Sequence, residues 1–331
     1  MIVPAIVENI ARAARALAAG ELVAFPTETV YGLGANARDA AAVTRLFAVK
    51  GRPAEHPVIV HLADAQALSR WAGTVPPGAS VLASAFWPGP LTLILPRAGS
   101  VEDAVTGGQS SVGLRVPAHP IAQALLAKLA ELGCDGVAAP SANRFGRISA
   151  TTAQHVADEF GDTIALILDG GPSTHGIEST IVDFSSGEAV LLRPGSITGG
   201  EIAGALGPGD RPGPRSAHVR APRASGTLAA HYAPQTPARL LARAELLAAL
   251  AGLGGPGAHI SVLAHSVAQP PDFEGTWFDA PGESAPYAQQ LYANLRALDA
   301  READEIWIET PPDGPDWVAV GDRLRRATHR D

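Results

Sequence analysis

"FPTETVYGLG" (residues 25–34) continues the apolar run "ELVAF" (residues 21–25) and loads the end of an expected buried strand with two threonines, a glutamate, a tyrosine and two glycines. Ligands gather at strand ends in α/β sheets, because side chains and backbone donors emerge there from a rigid frame. Thr27, Glu28, Thr29 and Tyr31 stand at such an end. The same residues also fit a plain turn, with Thr and Glu capping the next element and Gly32 and Gly34 supplying unusual backbone angles. The surrounding sequence has to decide between the two.

Outward from this stretch, strand-like and helical patterns alternate. Strands are expected at 22–26, 56–62, 91–96, 112–117, 136–141, 165–171, 179–184 and 189–195, and helices near 39–49, 64–71, 79–86, 118–132 and 151–160. So many strands before residue 200 point to one wide, twisted mixed α/β sheet. "GGEIAGALGPGDRPGPRSAHVRAPRASGTLAA" (residues 199–230) is dense in Gly, Pro and Arg and lacks a stable period, as an extended linker would. Beyond it, "ARLLARAELLAALAGL" reads as a helix, "HISVLAH" as a strand, "APYAQQLYANLRALDAR" as a helix and "EIWIET" as a strand, a smaller Rossmann-like αβ unit. The domains are therefore placed at 1–200 and 236–331, with 201–235 between them. Trp307, Trp317 and Tyr292 have core spacing, and the basic tail "GDRLRRATHRD" reads as a solvated helix end.

Composition narrows the function classes. The 331 residues are 46% apolar, enough for two cores, and the net charge of −8 gives no global attraction for nucleic acid. A single Cys134 without metal-ligand spacing fits a reducing cytoplasm and gives no reason to expect protein-bound zinc or haem. The first 20 residues carry Glu8, Arg12 and Arg15 within helical spacing and read as a surface helix. No apolar run approaches the roughly 18 residues of a membrane span.

Polar clusters recur at strand ends. "KGRPAEHPVIVH" brings Lys50, Arg52, His56 and His61 together. Lys50 and Arg52, two apart on what reads as an extended segment, would point the same way and clamp an anion. Only Lys50 and Lys128 are lysines, which hints at a compact point charge where arginine is otherwise the rule. "APSANRFGRIS" sets Ser141 and Asn143 after an apolar run, "GIESTIVD" sets Glu178, Ser179 and Thr180 before one, and "LLRPG" adds Arg193. Each alone fits a turn or cap; their recurrence points to a pocket for a phosphate-bearing ligand. No GxxxxGK[ST], complete dinucleotide fingerprint or GxSxG elbow is present, so side-chain cations and hydroxyls, not a glycine cradle, would hold the phosphates.

"FPTETVYGLG", "KGRP…HPVIVH", "PSAN", "GIESTIVD" and "LLRPG", in this order and spacing, resemble the Sua5/YrdC/YwlC family, and "HYAP" (residues 231–234) with the following unit resembles its two-domain Sua5 form. The resemblance spans nearly the whole chain. It implies a YrdC-like catalytic domain, a linker bearing HYAP and a Sua5 C-terminal domain. It also implies L-threonylcarbamoyladenylate synthesis from L-threonine, bicarbonate and ATP, with release of pyrophosphate, toward N6-threonylcarbamoyladenosine in tRNA.

On the matching positions the resemblance implies that Thr29, Arg52 and His61 hold threonine and that Lys50 neutralises bicarbonate or the α-phosphate. Ser141, Asn143, Ser179 and Arg193 would contact ATP, with Arg115 a further phosphate ligand, and His231 and Tyr232 would form a lid that excludes water. Mg²⁺ is expected with ATP, without assigned protein ligands. Downstream threonylcarbamoyl-transferase proteins are the implied partners, with tRNA contact indirect or weak and no membrane association. Two alternatives remain: an RNA-binding or regulatory YrdC-like module, and a carbamoyl-transfer domain like that of hydrogenase maturation proteins. The acidic charge weighs against the first, and the lack of acylphosphatase and zinc-finger segments against the second.

Overall fold

The computed structural model describes residues 1–207, 222–255, 257 and 259–329. Most of the Gly/Pro/Arg stretch assigned to the linker, residues 208–221, lies outside the described residues. The chain divides into two compact units, one of Met1–Phe145, Ala150–Thr174 and Glu178–Thr227, the other of Gly146–Ser149, His175–Ile177 and Leu228–Asp331.

The first unit is built on ten strands: β1 Ile2–Pro4, β2 Val23–Phe25, β3 Gly32–Asn36, β4 Ile59–His61, β5 Leu91–Pro96, β6 Ser111–Arg115, β7 Val137–Ala138, β8 Leu166–Asp169, β9 Thr180–Asp183 and β10 Val190–Arg193. They form one mixed sheet in the order β1-β8-β2-β3-β7-β4-β6-β5-β9-β10. Helices Val7–Ala18 and Pro120–Glu131 cover one face, where Ile10, Leu17, Leu125 and Leu129 pack on Val23 and Phe25. Each such buried leucine contributes about 2 kcal/mol of transfer free energy. Helix Ala40–Lys50 belongs to the other core, with Leu46 and Phe47 among Leu33, Val60 and Leu114.

The expected strands are present but mostly shorter, and β1 and β3 were not expected. β3 is the "GLGAN" end of the opening stretch, which propensity disfavours as a strand. Its glycines answer to packing: a Cβ on Gly34 would stand 2.9 Å from Val137 Cγ1 and 3.0 Å from Phe25 Cε1. Residues 199–206, expected to be extended, form helix Gly199–Leu206, started by a reciprocal cap between Thr198 and Glu201.

The second unit carries β11 Ala238–Leu241, β12 Ile260–Ala264, β13 Thr276–Asp279 and β14 Glu305–Glu309, all parallel, in the order β11-β14-β12-β13. Residues 238–241 were expected to begin a helix. They pair instead with Ile306–Glu309, and the helix is Arg243–Ala251, with Glu245 accepting from the Ala242 backbone N–H at 2.8 Å. β13, an edge strand, was also not expected. Helices Ser284–Asp299 and Val318–Ala327 follow β13 and β14. Tyr292 and Trp307 are buried as expected, whereas Trp317 is half-buried. The basic tail is not uniformly solvated, because Arg323 is fully buried with its guanidinium 5.3 Å from the Tyr232 ring centre. Among the described residues no helix is long and apolar enough to cross a membrane.

Candidate functional site in the first unit

β2 and β3 are antiparallel, with Phe25 opposite Gly32, so Pro26–Tyr31 form the loop between them. Thr27 closes that loop. Its Oγ1 accepts from the backbone N–H groups of Thr29 (3.3 Å) and Val30 (3.2 Å) and lies 2.8 Å from Thr29 Oγ1. The Tyr31 hydroxyl donates to Gly171 O at 2.8 Å. Part of this hydroxyl-rich stretch therefore shapes its own backbone, and the loop as a whole presents Glu28 and Thr29 to a cationic neighbour.

That neighbour is Arg115, at the end of β6. Its guanidinium donates to Glu28 Oε1 (2.6 Å), Thr29 Oγ1 (2.9 Å) and Gly89 O (3.2 Å). Burial raises the Glu28 pKa, but the adjacent Arg115 charge and hydrogen bond outweigh it and hold the carboxyl below its ordinary value. His61, at the end of β4, is opposite Arg115 in register. Burial first, then the Arg115 charge, push its pKa down to about 3, so the imidazole is neutral. Its Nδ1 is buried without a hydrogen-bond partner.

This environment has a definite linkage sign. His61 takes up a proton near pH 6.5 when unfolded but only near 3 when folded, so its contribution is complete above the unfolded value and lost as pH falls. Between about pH 6 and about pH 5 the unfolding free energy should fall more steeply for the wild type than for His61→Asn, by up to about 1.4 kcal/mol per pH unit. Urea unfolding at a series of pH values reads the difference. Parallel curves would place His61 in a solvated setting.

Lys50 and Arg52 are not on an extended segment. Lys50 is the last residue of its helix, Gly51 turns the chain in the left-handed region at φ 65°, and Arg52 follows. The Lys50 side chain, 2% exposed, donates to the backbone oxygens of Ser141 (2.6 Å) and Asn143. Burial, followed by the Arg52 charge, lowers its pKa well below the usual lysine value. Arg52 donates to the backbone oxygens of His56 (3.2 Å) and Pro57 (2.7 Å) and reaches Ser225 Oγ at 3.5 Å. Arg193, at the end of β10, holds Ser179 O and Oγ and donates to Ser225 O at 2.8 Å. Ser179 Oγ also lies 2.8 Å from Thr92 Oγ1.

Arg52 and Arg193, from opposite ends of the sequence motif set, thus meet at one residue, with Lys50 beside Arg52. Glu28, Thr27 and Ser225 belong to the arrangement but were not among the expected site residues. The opening stretch already contained the first two, whereas nothing local marks Ser225. Among the described residues no group of three or more His, Cys, Asp or Glu side chains is placed to hold a metal ion.

His231 and Tyr232 belong to the second unit. Tyr232 has φ 63° and is 1% exposed, its ring 5.6 Å from that of Tyr292, and the His231 N–H donates to Arg326 O at 3.2 Å. Tyr232→Ala should destabilise this unit by roughly 3–5 kcal/mol, as for other buried aromatic truncations. Thermal unfolding checks this, and an unchanged midpoint would show that the ring contributes no packing.

Comparison with known proteins divides the chain near residue 196, inside the first compact unit. A family model for the Sua5–YciO–YrdC domain, described as "Telomere recombination", matches residues 15–195, and one described as "Threonylcarbamoyl-AMP synthase, C-terminal domain" matches residues 197–328. The threonylcarbamoyl-AMP synthase of Pyrococcus abyssi (strain GE5 / Orsay) is 38% identical over 317 residues, 93% of this chain and 91% of that protein. That of Bacillus subtilis (strain 168) is 38% identical over 327 residues, 96% of this chain and 92% of that protein. The crystal structure of P. abyssi Sua5 complexed with L-threonine superposes with a TM-score of 0.88 at 36% identity, covering 99% of this chain and 97% of that one.

Proposed function

Because the chain belongs to the Sua5 family of threonylcarbamoyl-AMP synthases, with both of its domains, we infer that it condenses L-threonine, bicarbonate and ATP into L-threonylcarbamoyladenylate, pyrophosphate and water. The observation that supports this reading at the site is the meeting of Arg52 and Arg193 at Ser225, with Lys50 alongside, which brings three buried basic side chains together. Such a site suits a reaction whose task is to bring anions together and stabilise charge at the α-phosphate.

The threonine carboxylate falls to Arg52, and Thr29 and neutral His61 offer hydrogen bonds to its polar groups. Lys50, held with a lowered pKa, regains its proton affinity when bicarbonate or a phosphate enters beside it. Ser141, Asn143, Ser179 and Arg193 take the nucleotide. Arg115 shapes the loop by holding Glu28 and Thr29. Mg²⁺ enters as part of the substrate, bound through ATP phosphates and water. The labile adenylate would pass to downstream threonylcarbamoyl-transferase proteins, which would make the principal tRNA contact.

Incubation with ATP, bicarbonate and labelled threonine tests the reading. Threonine-dependent pyrophosphate release and a labelled adenylate are expected. Pyrophosphate release indifferent to threonine, or none at all, would overturn it.

A further inference from the structure

"DGGPST" (residues 169–174), at the end of β8, supplies none of the residues placed in the site, yet it is bonded along its length to the loop that carries Thr29. β8 runs parallel to β2, with Ala24 opposite Ile167, so both strands end at the same margin of the sheet and the chain leaving each meets the other there. The Tyr31 hydroxyl donates to Gly171 O at 2.8 Å and accepts from the Gly170 N–H at 3.2 Å. Burial pushes the Tyr31 pKa up to about 12, so the phenol keeps the proton it donates. On the other side of the loop, Ser173 Oγ donates to Thr27 O at 3.0 Å and Thr174 Oγ1 to Glu28 O at 3.4 Å. The two attachments bracket Thr29.

The segment is itself fixed. Asp169 Oδ1 accepts from the Gly171 N–H at 3.0 Å, and the Ser173 N–H donates to Thr151 O at 2.9 Å. Gly170 allows the close approach, because a Cβ there would stand 2.6 Å from both Pro26 Cγ and Ile121 Cδ1. Ser173 and Thr27 are both buried, so no solvent replaces their bond if it is lost.

The hold on Thr27 passes to Thr29. Thr27 Oγ1 gives its one proton to Val30 O at 2.5 Å, so in the 2.8 Å pair between the two threonine hydroxyls the donor is Thr29. Arg115 donates to the same Thr29 oxygen at 2.9 Å. The Thr29 hydroxyl thus stands between a fixed acceptor and a fixed donor, with one lone pair left for a ligand. Where that lone pair points follows from where Thr27 is held.

Resting on the proposed synthesis, we propose that Ser173, together with the Tyr31 hydroxyl, is a positioning residue for threonine: residues 170–174 brace the β2–β3 loop at the height where Thr29 meets Arg115. Neither side chain needs to touch the substrate. A misplacement of about 1 Å in a binding group can cost two orders of magnitude in rate, and the brace is what prevents it. Its effect falls on the amino acid, because the residues it bonds are those of the threonine loop.

Titration calorimetry with L-threonine, and the KM values for threonine and for ATP in pyrophosphate release, test this on the full chain. Ser173→Ala should raise both the Kd and the KM for threonine about tenfold while the KM for ATP stays within about twofold. Tyr31→Phe keeps the ring and loses both hydroxyl bonds; it should show the same split, and it carries the test if Ser173→Ala does not fold. A purely structural role would lower the thermal midpoint without separating the two KM values. Folded variants in which threonine binding is unchanged, or in which both KM values rise together, would overturn the inference and leave the proposed function standing. A wild-type chain that binds threonine but releases no threonine-dependent pyrophosphate would overturn the proposed function alone, since the Kd comparison still decides this one.

Discussion

Lys50→Met is expected to lower kcat/KM for threonine-dependent pyrophosphate release by about 10²–10³-fold, the loss seen when one preorganised donor is taken from a charge-stabilising site. The substitution keeps the length and apolar stem of the side chain and removes only the ammonium. In the structure that group bonds the backbone oxygens of Ser141 and Asn143 and lies beside Arg52. Its lowered proton affinity reflects burial and a neighbouring positive charge, both of which an incoming anion would offset. Loss of the charge should therefore affect turnover more than folding. The two freed carbonyls cost about 1–3 kcal/mol each at most, partly offset because a desolvated cation is also removed. Steady-state kinetics and the denaturation midpoint, measured on one preparation, separate the effects. Near-normal turnover would exclude Lys50 from charge stabilisation.

The second large effect concerns stability. Arg115→Met should destabilise the first unit by about 3–5 kcal/mol, because it leaves Glu28 as an uncompensated buried carboxylate. Both side chains are almost inaccessible, at 5% and 7%, and their atoms approach to 2.6 Å. The double variant Arg115→Met with Glu28→Gln should recover much of that loss, since no unpaired charge is then buried. Activity should stay low in both, because Arg115 also holds the Thr29 hydroxyl. Urea midpoints of the two single variants and the double variant form the cycle. Additive losses would mean that the pair is not coupled and that Glu28 finds solvent or another donor.

Much of this site is readable from type and order of residues. Hydroxyls and cations at strand ends stand out because strands are short apolar runs and whatever follows them is presented at the sheet margin. His61 and Arg193 are legible for that reason, whereas Lys50 and Arg52 stood out only as a close pair of cations and sit at a helix end and the turn after it. Arg115 was legible as a phosphate candidate but not as the partner of Glu28, since 87 residues separate them and only the strand order β2-β3-β7-β4-β6 brings the end of β6 to the β2–β3 loop. Ser225 carries no local signal at all. A serine in a Gly/Pro-rich stretch looks like linker, and its contact with two guanidinium groups exists only after the chain has folded back over the sheet.

The sequence by itself determined where most strands of the first unit lie, the gathering of hydroxyls and cations between them and the family, because these depend on hydrophobic period and on residue types a few positions apart. Tertiary structure alone decided that "GLGAN" and "ARLL" become strands, since pairing with Val137–Ala138 and Ile306–Glu309 supplies hydrogen bonds and close packing that local propensity does not encode. It alone also decided which cations share a neighbour, because that depends on strand order, and strand order is set by which apolar faces can be buried together over long stretches of chain.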